Sequence, residues 1–236
     1  MVPVETRLGV GHRSLRMVRL RIGILGSSGY VGRQVMRKIT GAGHSGVAVN
    51  APRLTWSPMY RRDLEASALS VARDTGLVES LRGLDVLINA AGIPSASAST
   101  SDLIGANGLL PLVASLACGD AKVEHFIQVS SAAVQGTEVL DETTTFSPTS
   151  NYGRSKALAE RWLVRYSNVR TTIYRPTSVH GEGRHVTAQV TRLARSGLAM
   201  VAGDGKAPTP QIHVSNVGIA LNHLAVSQST PLVVLH

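Results

Sequence analysis

The sequence predicts an α/β fold: a doubly wound parallel sheet with a small C-terminal substrate lobe. Three observations carry this. Short apolar runs alternate with helical patterns from Val18 onward, as strands joined by crossover helices require. The first run, Arg21-Ile22-Gly23-Ile24-Leu25, enters a glycine-rich turn that opens a helix. With 236 residues, 43% of them hydrophobic, the chain suffices for one substantial core and a small appendage.

Residues 1–16 lack periodicity and carry Arg7, Arg13 and Arg16 against Glu5, which predicts a disordered extension. Met17, directly before the first strand, is then a candidate start. After the strand at 21–25 comes Gly26-Ser27-Ser28-Gly29-Tyr30-Val31-Gly32, followed by a helix over 31–40. Gly26 permits a tight turn, Gly29 lets the backbone approach a pyrophosphate, and Gly32 allows close helix–strand packing. Free N–H groups at the helix start then face phosphate oxygens. Gly26, Ser28, Gly29, Tyr30, Val31 and Gly32 are therefore expected to bind a dinucleotide, in a Rossmann-like domain spanning 17–175.

The second strand, 46–50, is where a dinucleotide enzyme reads the adenine ribose. An acidic residue there binds the ribose hydroxyls of NAD. This chain reads Val49-Asn50-Ala51-Pro52-Arg53, with no carboxylate before Asp63. Arg53 can instead pair with a 2′-phosphate, so NADP(H) is expected over NAD(H). Residues 51–74 are too many for a simple connection and resolve into no clear element. Further on, the pattern predicts helices over 75–82, 101–118, 150–166 and 186–195, and strands over 85–89, 125–130 and 171–175. Ser150 or Asn151 is suited to cap the third of these helices.

Tyr152-Gly153-Arg154-Ser155-Lys156 places a phenol and an ammonium four residues apart, on one helix face. An ammonium beside a tyrosine favours the phenolate and lowers its pKa toward neutrality. Such a tyrosine exchanges a proton with a carbonyl oxygen near pH 7.

Together, the glycine loop, Asn89-Ala90-Ala91-Gly92, Val129-Ser130-Ser131-Ala132-Ala133-Val134, Tyr152 with Lys156, and Arg175-Pro176-Thr177-Ser178-Val179-His180-Gly181 resemble the short-chain dehydrogenase/reductase superfamily. The form of the glycine loop and the Arg-Pro segment are similar to its extended branch of epimerases, dehydratases and ketoreductases. The likeness runs from about residue 21 to 225, in the family's order. The resemblance implies Ser131, Tyr152, Lys156 and Asn107 as catalytic residues. It adds Asn89, Ala90, Ala91, Gly92, Lys156, Arg175, Pro176 and Val179 to the cofactor site, and implies Ser130, Gln135 and His180 as substrate contacts. It also implies a homodimer built through the 101–118 and 150–166 helices.

Departures from the branch narrow the chemistry. Dehydratases follow the catalytic hydroxyl with an acidic pair, whereas Ala132 and Ala133 stand here, which argues against elimination. Nucleotide-sugar enzymes commonly place Arg-Asp after the Gly203-Asp204-Gly205 stretch. This chain has Thr209-Pro210, leaving Arg184, Arg192 or Arg195 to meet a diphosphate. Only about sixty residues follow Pro176. The lobe over 176–236, with a last strand in 230–236, is either minimal, completed by a neighbouring subunit, or shortened.

Composition excludes other classes. The net charge of +9 comes from 20 Arg against 4 Lys, scattered and not interleaved with the 4% aromatics, which argues against nucleic acid. One cysteine, Cys118, excludes an internal disulfide and fits a reducing compartment. No apolar run approaches membrane-spanning length and no signal-peptide core stands at the N-terminus, so a cytoplasmic protein without membrane contact is expected. His180 and His185 lack helical i, i+4 spacing, so no metal is expected. The expectation is an NADP(H)-dependent oxidoreductase reducing a ketone on a sugar or specialised metabolite. The alternatives are a nucleotide-sugar epimerase holding NAD(H) and a non-catalytic dinucleotide-binding sensor or scaffold.

Overall fold

The run Arg21–Leu25 forms β1 with its last four residues buried, and a strand buried on both faces requires cover on both sides. In the computed structural model, which describes residues 19–94, 98–136, 140–196 and 209–235, a six-stranded parallel sheet provides the middle layer. The chain runs through α1 (Tyr30–Gly41), β2 (Ser45–Val49), α2 (Leu64–Asp74), α3 (Leu77–Leu81) and β3 (Val86–Asn89). It continues through α4 (Thr100–Ile104), α5 (Leu110–Ala121), β4 (His125–Val129), α6 (Asn151–Tyr166) and β5 (Arg170–Arg175). Last come β6 (Ser178–His180), α7 (His185–Arg195), β7 (Gln211–His213), α8 (Val214–Val226) and β8 (Val233–Leu235).

The sheet order is β2-β1-β3-β4-β5-β8. Strand order reverses between β1 and β3, and in such sheets ligands bind beyond the carboxyl ends at that switch point. On one side of the sheet, Leu87 and Phe126 pack with Ala68, Ala72, Leu81, Leu112 and Leu116 from α2, α3 and α5. On the other, Ile22, Ile24, Ile88 and Ile127 pack with Val35, Ile39, Val217 and Leu221 from α1 and α8. Both clusters follow from short apolar runs, residues 22–25 in β1, 86–88 in β3 and 126–127 in β4, whose alternate side chains enter opposite faces of the sheet.

The segment left unread at 51–74 adds no strand. Pro58–Arg61 makes a 3-10 turn, and Asp63 caps α2 by accepting from the Ala66 N–H at 3.0 Å. Trp56 stacks on Trp162 of α6, ring centroids 5.4 Å apart, which ties the segment to the domain. The helix expected over 75–82 begins only at Leu77, because Gly76 is left-handed (φ 69°) and separates it from α2. α4 and α5 form one continuous helix interrupted by a π-helical turn, Gly105–Leu109.

That 22-residue helix, Thr100–Ala121, corrects the expectation that no apolar run reaches spanning length. By length and composition it does, but 78% of its apolar window is buried inside the domain. Residues 110–118 of α5 are all buried, so this part of the helix expected to build a dimer offers no surface. A second correction concerns the last strand. β8 pairs with β5 and extends the main sheet instead of belonging to a separate lobe. α8 likewise covers α1, leaving α7 and the two-stranded β6–β7 sheet as the part of 176–236 set apart from the main sheet. Gly203-Asp204-Gly205 lies outside the described residues.

His125, at the start of β4, is fully buried and hydrogen-bonded through Nε2 to Thr172 Oγ1 at 2.9 Å. Burial, aided by the nearby Arg170 charge, lowers its pKa to about 4. A depressed pKa means that the unfolded chain takes up the proton first as pH falls. Stability should therefore drop from about pH 6.5 toward pH 4. Urea unfolding of a His125→Gln variant, compared with the native chain at both ends of that window, should show a flatter pH dependence.

Candidate active site

Two chain crossings build the site at the carboxyl ends of β1 and β3. Gly26 is left-handed (φ 75°), and a Cβ there would lie 2.7 Å from the Ala91 nitrogen. A Cβ on Gly32 would lie 2.1 Å from the Gly26 carbonyl oxygen. The glycines thus let α1 start directly on the end of β1, with Ser28 and Gly29 exposed at its mouth. Asn89 closes the neighbouring turn: its Oδ1 accepts from the Ala91 N–H at 3.1 Å, while its Nδ2 donates to Gln128 Oε1 at 2.8 Å. The Ala90 N–H donates to the Leu25 carbonyl at 3.0 Å, locking the two strand ends together. The arrangement leaves backbone exposed at a helix start, which fits a dinucleotide pyrophosphate. Val31 is half-buried and packs in the α1-side cluster. Tyr30 carries a hydroxyl with no hydrogen-bond partner among the described residues.

The second wall is α6. Ser150 caps it, accepting from the Gly153 N–H at 3.0 Å. Gly153 lies against the 3-10 turn Ala132–Val134, where a Cβ would come 2.5 Å from the Ala133 carbonyl. That approach sets Tyr152 near Ser131, whose hydroxyl bears on the phenol's titration and whose Oγ accepts from the Ala133 N–H at 3.2 Å. One turn on, buried Lys156 donates from Nζ to the Val129 carbonyl at 3.0 Å. Asn107 sits in the π-helical turn, buried, with Oδ1 accepting from the Ile93 N–H at 2.9 Å. Its Nδ2 donates to the Ile93 carbonyl at 2.9 Å and to Ser155 Oγ at 3.1 Å. Gly92 lies between Asn107 and Lys156, since a Cβ there would be 2.6 Å from the Asn107 Oδ1 and 3.3 Å from the Lys156 Nζ. Ser131, Tyr152, Lys156 and Asn107 are thus gathered around one point beside the switch crevice.

The electrostatics differ from the sequence expectation. Burial raises the Tyr152 pKa, against smaller lowering influences from the Ser131 hydrogen bond and the Arg184 charge. Lys156 Nζ stands 6.0 Å from the Tyr152 ring centroid and is not among the influences that lower it. Burial lowers Lys156 itself to about 8, opposed by the Glu160 carboxylate.

Three expected contacts take other partners. Arg175 does not face the cofactor crevice; its fully buried guanidinium pairs with Glu160 at 2.6 Å. Ser130 turns its hydroxyl away from Ser131 and onto Glu160 Oε1. Adjacent residues on extended chain point to opposite faces, so only one of the two serines can reach the site. Gln135 is buried and bonded to Asp141 through both Nε2 and the Asp141 N–H. Pro176 and Val179 shape the wall by backbone and packing: the Pro176 carbonyl accepts from the Ala132 N–H at 3.0 Å, and Val179 joins the α1-side core. Arg53 is exposed beyond β2 and makes no hydrogen bond or ion pair among the described residues. His180 meets His213 edge-on, ring centroids 5.6 Å apart, and among the described residues no group of three metal-ligating side chains exists.

Sequence reasoning missed Glu160, His213 and the position of Arg184. The 152, 156, 160 spacing was a readable signal for Glu160. His213 gave none, because β6 and β7 are joined by thirty intervening residues.

A family profile described as the NAD dependent epimerase/dehydratase family matches residues 22–231. The chain belongs to that family. It is 26% identical over 207 residues to the 4-hydroxy-2-methyl-3-oxo-4-farnesyl-3,4-dihydroquinoline-1-oxide ketoreductase of Stigmatella aurantiaca, covering 84% of this chain and 62% of that relative's length. Its fold is similar to that of MoeE5 in complex with UDP-glucuronic acid and NAD, with a TM-score of 0.70 and 22% identity over 91% of this chain and 75% of that one. It is also similar to the Bordetella bronchiseptica enzyme WbmG in complex with NAD, with a TM-score of 0.71 and 16% identity over 94% of this chain and 74% of that one.

A depressed lysine pKa has a consequence for stability that needs no substrate. Below pH 8 both states carry the Lys156 proton and the burial cost is complete; between 8 and the unfolded value of 10.5 that cost is relieved. Urea unfolding at the two ends of this window should show a smaller gain for a Lys156→Met variant than for the native chain.

Proposed function

We propose that this family member is a cytosolic NADP(H)-dependent reductase of a ketone on a sugar or specialised metabolite. The observation that carries the reading is the Tyr152–Lys156 contact on successive turns of α6, 6.0 Å from ammonium to ring, beside the glycine-lined crevice. When bound, the nicotinamide cofactor supplies hydride to the carbonyl carbon. The glycine loop Gly26–Gly32 and the Asn89–Gly92 turn would hold it, with Lys156 against its ribose.

The chain's own groups handle the proton and the charge. Ser131 donates a hydrogen bond to the carbonyl oxygen and Tyr152 delivers a proton to it. Because burial raises its pKa, Tyr152 is protonated near neutrality, which suits a proton donor in the reductive direction. Asn107 holds the Ile93 backbone and Ser155, and so keeps α6 in register with the Gly92 turn. The exposed Arg53 favours a cofactor carrying a 2′-phosphate. The ketoreductase activity of the Stigmatella relative supports the same reaction class.

A second reading has its own support. A cavity of about 820 Å³ is bordered by Arg184, Arg192 and Arg195, and Arg184 also acts on Tyr152. Three arginines suit a diphosphate, which favours a nucleotide-sugar substrate and admits an epimerase holding NAD(H). A sensor or scaffold without turnover would have no use for the Tyr152 contact. For a homodimer, a groove between α4 and α6, lined by Leu103, Ile104, Arg154, Leu158 and Arg161, offers surface.

Calorimetric titration with NADPH and NADH should show tighter binding of NADPH, and an Arg53→Ala variant should lose that preference. Tightly held NAD(H) in the purified protein would favour the epimerase. Substituting Tyr152→Phe should leave dinucleotide binding intact and lower ketone reduction by about 10²–10⁴-fold; unchanged turnover would remove Tyr152 from the chemistry.

A further inference from the structure

Two side chains assigned by resemblance to cofactor and substrate converge instead on Glu160. Its carboxylate is 1% exposed and its partner Arg175 is 0% exposed. Glu160 accepts from Arg175 Nη2 at 2.6 Å, from Arg175 Nε at 3.2 Å, and from the Ser130 hydroxyl at 2.5 Å. The remaining guanidinium nitrogen, Nη1, donates to the carbonyls of Thr143 at 2.7 Å and Asp141 at 3.3 Å. Each link ends on a wall of the site. Ser130 precedes Ser131, α6 carries Tyr152 and Lys156 on the two preceding turns, and Asp141 holds Gln135. A buried ion pair is rarely more stabilising than an apolar pair of the same volume, so fold stability gives no reason for this one.

Lys156 supplies a reason. It is 5% exposed, and its one hydrogen bond among the described residues is to the Val129 carbonyl. Desolvation drives a buried ammonium to shed its proton unless an anion lies near. The groups packed around Lys156 are few. Tyr152 lies one turn before it on α6, and Asn107 approaches across Gly92 from the π-helical turn. Asp141 is turned to Gln135 and Thr143, Arg175 stands behind Glu160 on β5, and the Arg184 charge acts on Tyr152. Glu160, one turn after Lys156, is the one charge that acts on it.

We propose that Glu160 is a positioning residue for this reaction site: its buried carboxylate stands one helical turn from Lys156 as the counter-charge and, through Ser130 and Arg175, holds that ammonium in register with the Ser131 strand end. The inference rests on the reading of Tyr152 and Lys156 as reacting groups. Glu160 touches neither substrate nor cofactor. It acts through Lys156, while Arg175 neutralises it on the far side and fastens the 141–143 loop.

The test titrates Lys156 directly by NMR in protein labelled at its four lysines, with its signal identified by loss in Lys156→Arg. In the native chain the midpoint is expected near 8. Glu160→Gln should lower it by about one pH unit. That variant leaves Arg175 buried and unpaired, which can unfold the chain. Glu160→Leu combined with Arg175→Met therefore removes both charges at once; loss of the Arg175 cation offsets part of the loss of the carboxylate, so a smaller fall in the same direction is expected. The neutral-to-alkaline limb of NADPH-dependent ketone reduction should move with it. A native midpoint in the folded double variant would overturn the proposal and leave the reductase reading standing. The titration needs no substrate or dinucleotide, so absence of reductase activity alongside a lowered midpoint would overturn that reading and not the role of Glu160.

Discussion

The closeness of the β1–α1 turn to the end of β3 is the constraint on which the site depends. With a Cβ on Gly26 only 2.7 Å from the Ala91 backbone, the two loops cannot both keep their paths around any other residue. Gly32 then seats α1 against the same turn. This contact places the exposed helix start next to Gly92, and Gly92 in turn touches both Asn107 and Lys156. The exposed helix start and the Asn107–Lys156 pair therefore share one small volume, because glycines remove the side chains that would separate them.

A second layer of polar bonds holds α6 at the correct height over the sheet. Asn107 reaches inward from a π-helical turn, and Glu160 with Arg175 fastens the opposite end of the same helix face. Tyr152, Lys156 and Glu160 stand on successive turns, so a shift of α6 would move all three together. Burial acts on each differently. It keeps the phenol neutral and pushes the lysine toward losing its proton, and the Glu160 carboxylate opposes the latter.

Local pattern made most of the sheet legible. The runs ending at Leu25, Asn89, Val129 and Arg175 are short and centred on β-branched, aliphatic or aromatic residues, and each became a parallel strand in the expected sequence order. The segment 51–74 was opaque because its helix, α2, starts from an Asp63 cap in the middle of an arginine-rich stretch. Its docking relies on a Trp56–Trp162 stack between residues far apart in the chain. β8 was read as a lobe strand because nothing local distinguishes an edge strand of one sheet from that of another.

The amino-acid sequence by itself determined the nucleotide-binding architecture, since glycine spacing and strand periodicity are short-range and act through backbone sterics. It also presented Ser131, Tyr152 and Lys156 as a group. Only the tertiary structure decided which neighbours those groups have. Ser130 and Arg175 carry the same motif signal as the residues that line the crevice, yet they turn to Glu160, because pleat direction and burial are set by the packing of α6 on β4 and β5. The Tyr152 pKa was decided there as well. Desolvation depends on everything that surrounds the hydroxyl, and a spacing of four residues along one helix does not specify it.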